Sequence, residues 1–341
     1  MRGAGRFAPT PTGRLHLGNV RTALLSWLWA RHAGLPNLLR IEDLDPAAVP
    51  AGAIEAIYAD LDWLGLTYDE SPRAGGPAGP YLQSQRLERY VPPLVALNAL
   101  GLLYPCGCSR KEVAQAALAP HAGDEGPLYP GTCRPAVARP LRTTGRVGMQ
   151  VAPIVMPNGR RAALRLNVPA ALARLGVDTV GFEDAVCGRV DLHGLGAIGD
   201  FVVRRTDDLA AYQLACAWDD VEMGCSQVLR GVDLLTSAVR QVLLLRLLGL
   251  PVPTYAHVGL VLMPTGEKLS KRDDAIAISA LRRDGVPAER IIARLAGMSG
   301  LPETGDLSRL TEAFGLSASW RESVRLPAFS TLSPLEAALR L

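Results

Sequence analysis

Apolar residues recur at helical spacing over "VRTALLSWLWARHAG" (20–34) and over "AGAIEAIYADLDWLG" (51–65), and each run closes on a glycine, the usual helix stop. Short apolar runs at "GRFAP" (5–9) and "NLLRIED" (37–43) predict strands, with a loop over 9–18. A strand, loop, helix, strand order predicts a βαβ unit with parallel pairing. Residues 84–102 read as helical, and 103–165 hold no regular period. Pattern returns from about Gly199: "DFVVRR" as a strand, "LAAYQLACAWDD" as a helix, "QVLRG" as a strand and "DLLTSAVRQVLLLRLLG" as a long helix. The expected fold class is α/β, a parallel sheet split by an insertion.

Composition adds bounds. A chain of 341 residues, 48% hydrophobic and 20% charged, fits a folded globular protein and excludes the disordered class. No apolar run reaches the ~18 to 20 residues of a membrane span, and "MRGAGRFAPT" lacks an apolar signal core, so the expectation is no membrane partner and a cytoplasmic location. Six cysteines are too few for a disulfide scaffold and are read by spacing. The net charge of +3 says little, but its distribution says more. No acid occurs between Gly126 and Val177, a stretch with eight arginines, Arg134, Arg160 and Arg161 among them. It reads equally as a polyanion contact surface and as a solvated insertion. Only Lys111, Lys268 and Lys271 are lysines among 36 basic residues, which suggests an ammonium is wanted where one survives.

Two constellations carry candidate chemistry. His16 lies in the loop before the first helix, where open parallel sheets bind ligands and helix N-termini hold phosphates, and its imidazole can donate to a phosphate. Alone it would be a surface histidine. Cys106 and Cys108 in "PCGCSR" are placed to aim two thiolates at one ion, with Cys133 of "YPGTCR" as a third ligand. Ligand chemistry by itself nominates His121 as the fourth. Cys187, Cys216 and Cys225 lack ligand spacing and read as buried hydrophobes.

The loop "PTPTGRLHLGN" together with "KLSKR" resembles the two-part signature of class I aminoacyl-tRNA synthetases, written HIGH and KMSKS, and "RFAPTPTGRLHLGN…RIEDLDP" resembles the glutamyl branch. The resemblance implies a Rossmann-like doubly wound parallel sheet and activation of L-glutamate by ATP with Mg²⁺. It implies that His16, Gly18, Asn19, Lys268 and Lys271 serve ATP, with Lys271 the more critical lysine. It implies a glutamate pocket of Arg6, Phe7, Ala8, Pro9, Thr10, Glu42, Tyr212 and Arg230. The chemistry agrees, since two carboxylates and one ammonium need cationic partners and one anionic one. The motif departs from HIGH at its last position: Asn19 can cap the helix and donate, but carries no charge.

The cysteine module resembles that of the glutamyl-queuosine tRNA(Asp) synthetase family, in which a Cys-x-Cys pair and Tyr-x-x-x-Cys bind zinc. That implies one Zn²⁺ on Cys106, Cys108, Tyr129 and Cys133. After Arg272 the chain reads as the helices of "ISALRRDGVPAERIIARLAG" and a tail over 318–341 that matches nothing recognisable, without the large anticodon-binding region of a discrete glutamyl-tRNA synthetase. The expected division is 1–102, first half of the catalytic domain; 103–198, a zinc-binding and Arg-rich insertion; 199–260, second half; 261–341, the KLSKR loop and a short helical C-terminal region. The implied activity is tRNA-independent glutamate activation and transfer to the queuosine base of tRNA(Asp), by a monomer. The alternatives are a glutamyl-tRNA synthetase catalytic fragment and a non-catalytic RNA-binding or amino-acid-sensing paralogue.

Overall fold

The computed structural model describes residues 3–116, 128–144, 150–151, 154–269 and 277–326. The chain opens with β1 (Gly5–Phe7), α1 (Leu17–His32) and β2 (Asn37–Leu39), then α2 (Ala53–Trp63) and α3 (Val91–Ala99). There follow β3 (Leu103–Cys106), α4 (Arg110–Ala116), β4 (Thr143–Thr144), β5 (Gln150–Val151), β6 (Ala163–Leu166), α5 (Val168–Leu175), β7 (Thr179–Asp184), β8 (Gly188–His193), α6 (Gly194–Ile198) and β9 (Val202–Arg204). The second half of the α/β pattern is α7 (Tyr212–Glu222), β10 (Gln227–Gly231), α8 (Leu235–Leu247) and β11 (Thr254–Val258). Then come β12 (Val261–Leu262), α9 (Ile278–Arg283), α10 (Ala288–Gly297), α11 (Leu307–Glu312) and β13 (Val324–Arg325).

Six strands form the main sheet in the order β2-β1-β10-β11-β7-β8, with the first five parallel and β8 antiparallel at the edge. The pleat sends alternate residues to opposite faces. Leu229 and Ala256 join the core beneath α1, whereas Val228 and Tyr255 join the one packed against α8. Helices thus cover both faces, as a buried parallel sheet requires. A separate antiparallel sheet, β3-β6-β9, stands beside the main one.

The expected helical stretch 84–102 is two short 3₁₀ helices, Gln83–Gln85 and Leu87–Tyr90, leading into α3, because Pro92 and Pro93 are tolerated only in a first helical turn. Two expectations are corrected. Within the expected insertion 103–198, the hairpin β7–β8 belongs to the main sheet, and "DFVVRR" pairs with β6 rather than with the parallel strands. The helix stops stand: Gly34 and Gly65 both take positive φ, at 64° and 73°. Among the described residues, no helix is long and apolar enough to cross a membrane.

Candidate active site

The carboxyl ends of β1, β2, β10 and β11 border a cavity of about 310 Å³, lined by the loop 6–10, by 13–16, Gly18 and Asn19, and by Glu42, Tyr212, Arg230, Asp233 and Lys268. Every residue expected in the ATP and glutamate sites lines it except Lys271, which lies outside the described residues. Sheet geometry makes this convergence: Arg40 N–H donates to Phe7 O and Glu42 N–H to Pro9 O, both at 3.0 Å, so the end of β2 runs alongside the loop after β1.

His16 is the N-cap of α1. Its Nδ1 accepts from the backbone N–H groups of Gly18 and Asn19 at 3.1 and 3.4 Å, while Asn19 Oδ1 accepts from the His16 backbone N–H at 3.2 Å. This reciprocal cap starts the helix at Leu17, three residues ahead of its apolar pattern. With Nδ1 accepting, the proton of a neutral ring sits on Nε2, a donor. Gly18 permits the arrangement, since a Cβ there would stand 3.1 Å from the ring.

Arg6 is buried and donates from Nε and Nη2 to Asp220 at 3.1 and 3.4 Å, which leaves Nη1 for a ligand. Arg40, also buried, donates to Asp220 Oδ1 at 2.7 Å and to Glu42 Oε1 at 3.0 Å. Burial alone pushes the Asp220 carboxyl up, but Arg6 and Arg40 outweigh it and hold it at about 2. A cation and an anion of the expected glutamate pocket are thus tied to one buried network.

Arg230 reaches the cavity from β10, with Nη1 3.4 Å from Tyr212 Oη and Nε 3.1 Å from His257 Nε2 on β11. His257 Nδ1 is 2.6 Å from Asp184 Oδ2. Lys268 is ion-paired with Asp233, which follows β10.

A second cluster lies beside β3. The Sγ atoms of Cys106, Cys108 and Cys133 lie within 4.8 Å of one another. Tyr129 Oη is 3.4 Å from Cys106 Sγ and 3.6 Å from Cys108 Sγ, and Cys108 and Cys133 are 3.6 Å apart. Four ligands around zinc with Zn–S bonds of about 2.3 Å stand about 3.8 Å apart, so this donor set fits. The Cys133 backbone N–H donates to Tyr129 Oη at 2.8 Å, and the Arg165 guanidinium lies 3.9 Å from its ring centroid, while burial pushes the phenol above its ordinary value, so the metal itself would have to displace the proton. His121 lies outside the described residues.

The family described as tRNA synthetases class I (E and Q), catalytic domain, matches residues 4–325. The chain belongs to the class I tRNA synthetases. A glutamyl-Q tRNA(Asp) synthetase of Symbiobacterium thermophilum is 45% identical over 95% of this chain and 96% of its own length. Glutamate–tRNA ligase 2 of Alkalilimnicola ehrlichii is 41% identical over 95% of this chain and 64% of its own. The crystal structure of the Elizabethkingia anophelis glutamate-tRNA synthetase is 26% identical and superposes with a TM-score of 0.74 over 99% of this chain and 69% of that one. The chain is accordingly a ligase-type enzyme, and class I synthetases use ATP with Mg²⁺.

Reading this synthetase from its sequence missed Arg40, Asp184, Asp220, Asp233 and His257, and also Asp219, which pairs with Arg86 at 2.7 Å and lies 4.0 Å from Arg40 Nε. The available signal was charge inside apolar runs: Arg40 within "NLLRIED", Asp219 and Asp220 closing an apolar helix, His257 within "YAHV". Buried charges are paired, so such positions announce internal networks. Of the arginines expected at a tRNA surface, Arg134 turns inward to buried Asp200 at 2.6 Å, whereas Arg160 and Arg161 remain about half exposed and pair with Glu112 and Asp208. Cys216 and Cys225 are buried as expected, but Cys187 is half-buried and donates to His257 O.

Proposed function

We propose that the protein activates L-glutamate with ATP in the absence of tRNA and then transfers the glutamyl group to the queuosine base of tRNA(Asp). The observation that supports this most is that Arg6, Glu42, Tyr212, Arg230, His16 and Lys268 line one cavity at the carboxyl edge of the parallel strands. The higher identity to the glutamyl-Q relative supports the queuosine acceptor.

In the first step an oxygen of the glutamate α-carboxylate attacks the α-phosphorus; the new O–P bond forms as the bond to the β-phosphate bridge breaks, and pyrophosphate leaves. No protein nucleophile is needed, so the residues position the substrates and stabilise charge. Glu42 holds the ammonium of glutamate. Arg230 and Tyr212 hold the side-chain carboxylate, and Arg6 Nη1 adds the second cationic contact. His16 Nε2–H, the amide of Asn19 and Lys268 face the phosphates, and the motif gives Lys271 to ATP as well. ATP enters as its Mg²⁺ complex, which neutralises phosphate charge. In the second step a nucleophile of the queuosine base attacks the glutamyl carbonyl carbon and AMP leaves.

Cys106, Cys108, Tyr129 and Cys133 hold one Zn²⁺, which supplies a cross-link between β3 and the segment carrying Tyr129. Arg160 and Arg161 meet the tRNA backbone. The protein acts as a cytoplasmic monomer. Pyrophosphate exchange tests the reading: glutamate should drive exchange without tRNA. Exchange that needs tRNA would favour a glutamate–tRNA ligase, for which the 41% identity to that group speaks. No exchange under either condition would point to a non-catalytic paralogue.

A further inference from the structure

Arg230 and His257 are partners in register on adjacent parallel strands. His257 is fully buried, with its ring stacked on Tyr255 at a centroid distance of 5.9 Å. A guanidinium has donors and no acceptor, so His257 Nε2, 3.1 Å from Arg230 Nε, must be the acceptor. The ring's one proton is then on Nδ1 and is donated to Asp184 Oδ2. Burial pulls the imidazole down to about 4, against the opposing pull of Asp184, which keeps it neutral near pH 7. Asp184 is itself fixed: its Oδ1 accepts from the backbone N–H groups of Val186, Cys187 and His257 at 3.0, 2.8 and 3.1 Å. Donation therefore runs one way, from Arg230 through His257 to Asp184. The outer edge of the guanidinium is left with Nη1 beside Tyr212 and with Nη2 buried and without a hydrogen-bond partner in the protein.

We infer that Asp184 and His257 are positioning residues that lock the Arg230 guanidinium so that Nη1 and Nη2 together read a carboxylate, which sets the preference for an acidic amino acid over its amide. This rests on the glutamate reading of the cavity. An amide would bring its own N–H₂ against a donor-only surface and leave buried donors unmatched, the kind of mismatch that discriminates most strongly.

The test combines exchange kinetics with side-chain ¹⁵N spectra. His257→Leu should raise the KM for glutamate roughly ten- to a hundredfold, narrow the preference over glutamine, and leave the KM for ATP within about twofold. His257→Gln restores an acceptor and should recover most of the loss. Asp184→Asn is nearly isosteric, yet the three backbone N–H groups keep its carbonyl oxygen at the Oδ1 place. Its amide nitrogen must then donate to Nδ1, which moves the ring proton to Nε2, against the Arg230 Nε–H. Asp184→Asn should therefore match His257→Leu. Equal KM changes for both substrates, or a neutral Asp184→Asn, would overturn the inference. The spectra decide it independently of turnover. With His257 assigned by subtraction of the His257→Gln spectrum, a proton on Nδ1 in the wild type and on Nε2 in Asp184→Asn is expected. A wild-type proton on Nε2 overturns the relay, whereas absent exchange with glutamate in the wild type overturns only the activity.

Discussion

The ammonium of Lys268 is ion-paired with the carboxylate of Asp233, and both line the cavity. In the proposed site, ATP competes with Asp233 for the first lysine of "KLSKR". A partly exposed pair of this kind contributes about 0–1 kcal/mol, so Asp233→Asn should leave the Tm within about 3 °C. Lys268→Ala should raise the KM for ATP well above any change in the KM for glutamate; equal rises would remove Lys268 from the phosphate site.

Asp220 is the acceptor shared by two buried arginines, Arg6 and Arg40. Asp220→Asn leaves both poorly matched and should cost about 3–5 kcal/mol in denaturant titrations. The native carboxyl sits at about 2, below its ordinary 3.8. A depressed value means stability that is complete above the unfolded-state value and is lost as pH falls through the folded one. Wild-type denaturation midpoints should fall from about pH 4 towards pH 2, and those of the variant should fall less steeply. Parallel slopes would show that Asp220 does not titrate in this way.

Zinc analysis of the purified protein should return about one equivalent per chain. Cys108→Ser should lose it. Tyr129→Phe should bind zinc more weakly than the wild type, whereas His121→Ala should bind it equally. Unchanged affinity in Tyr129→Phe would sink the phenol as a ligand.

Arg160 and Arg161 are exposed, and their pairs with Glu112 and Asp208 add little stability. Reversing both charges should leave tRNA-free exchange intact while weakening transfer to tRNA and making its salt dependence shallower by about one to two in the logarithmic slope. Transfer with unchanged rate and salt slope would reduce this surface to a solvated face.

The first βαβ unit, the strand over 227–231 and the helices flanking it were legible because apolar periodicity and terminal glycines are local signals. The hairpin Thr179–His193 was not: its Gly181, Glu183 and Asp184 break the apolar run, and its place in the sheet depends on pairing with β11, far along the chain. The residues lining the cavity were legible through the motif resemblance. The groups behind them were hidden because which acid meets Arg6, Arg40 or Arg230 is decided by strand order, on which residue spacing is silent. At the cysteine cluster, ligand chemistry alone favoured a histidine that lies outside the described residues, and the fold sets the Tyr129 phenol oxygen 3.4 and 3.6 Å from Cys106 and Cys108 Sγ.

The antiparallel sheet β3-β6-β9 has a consequence for how two ligands speak to each other. Cys106 ends β3, and β9 leads through one loop into α7, whose first residue is Tyr212; along the way the Ala211 N–H returns to Val203 O at 2.9 Å. The cysteine cluster thus lies on one edge strand of this sheet, and the opposite edge strand leads into the helix that carries Tyr212 to the cavity. Any factor by which zinc tightens glutamate is, by thermodynamic reciprocity, the factor by which glutamate tightens zinc. Titrating one ligand in the presence and absence of the other measures that factor, and so makes amino-acid affinity a gauge of metal status.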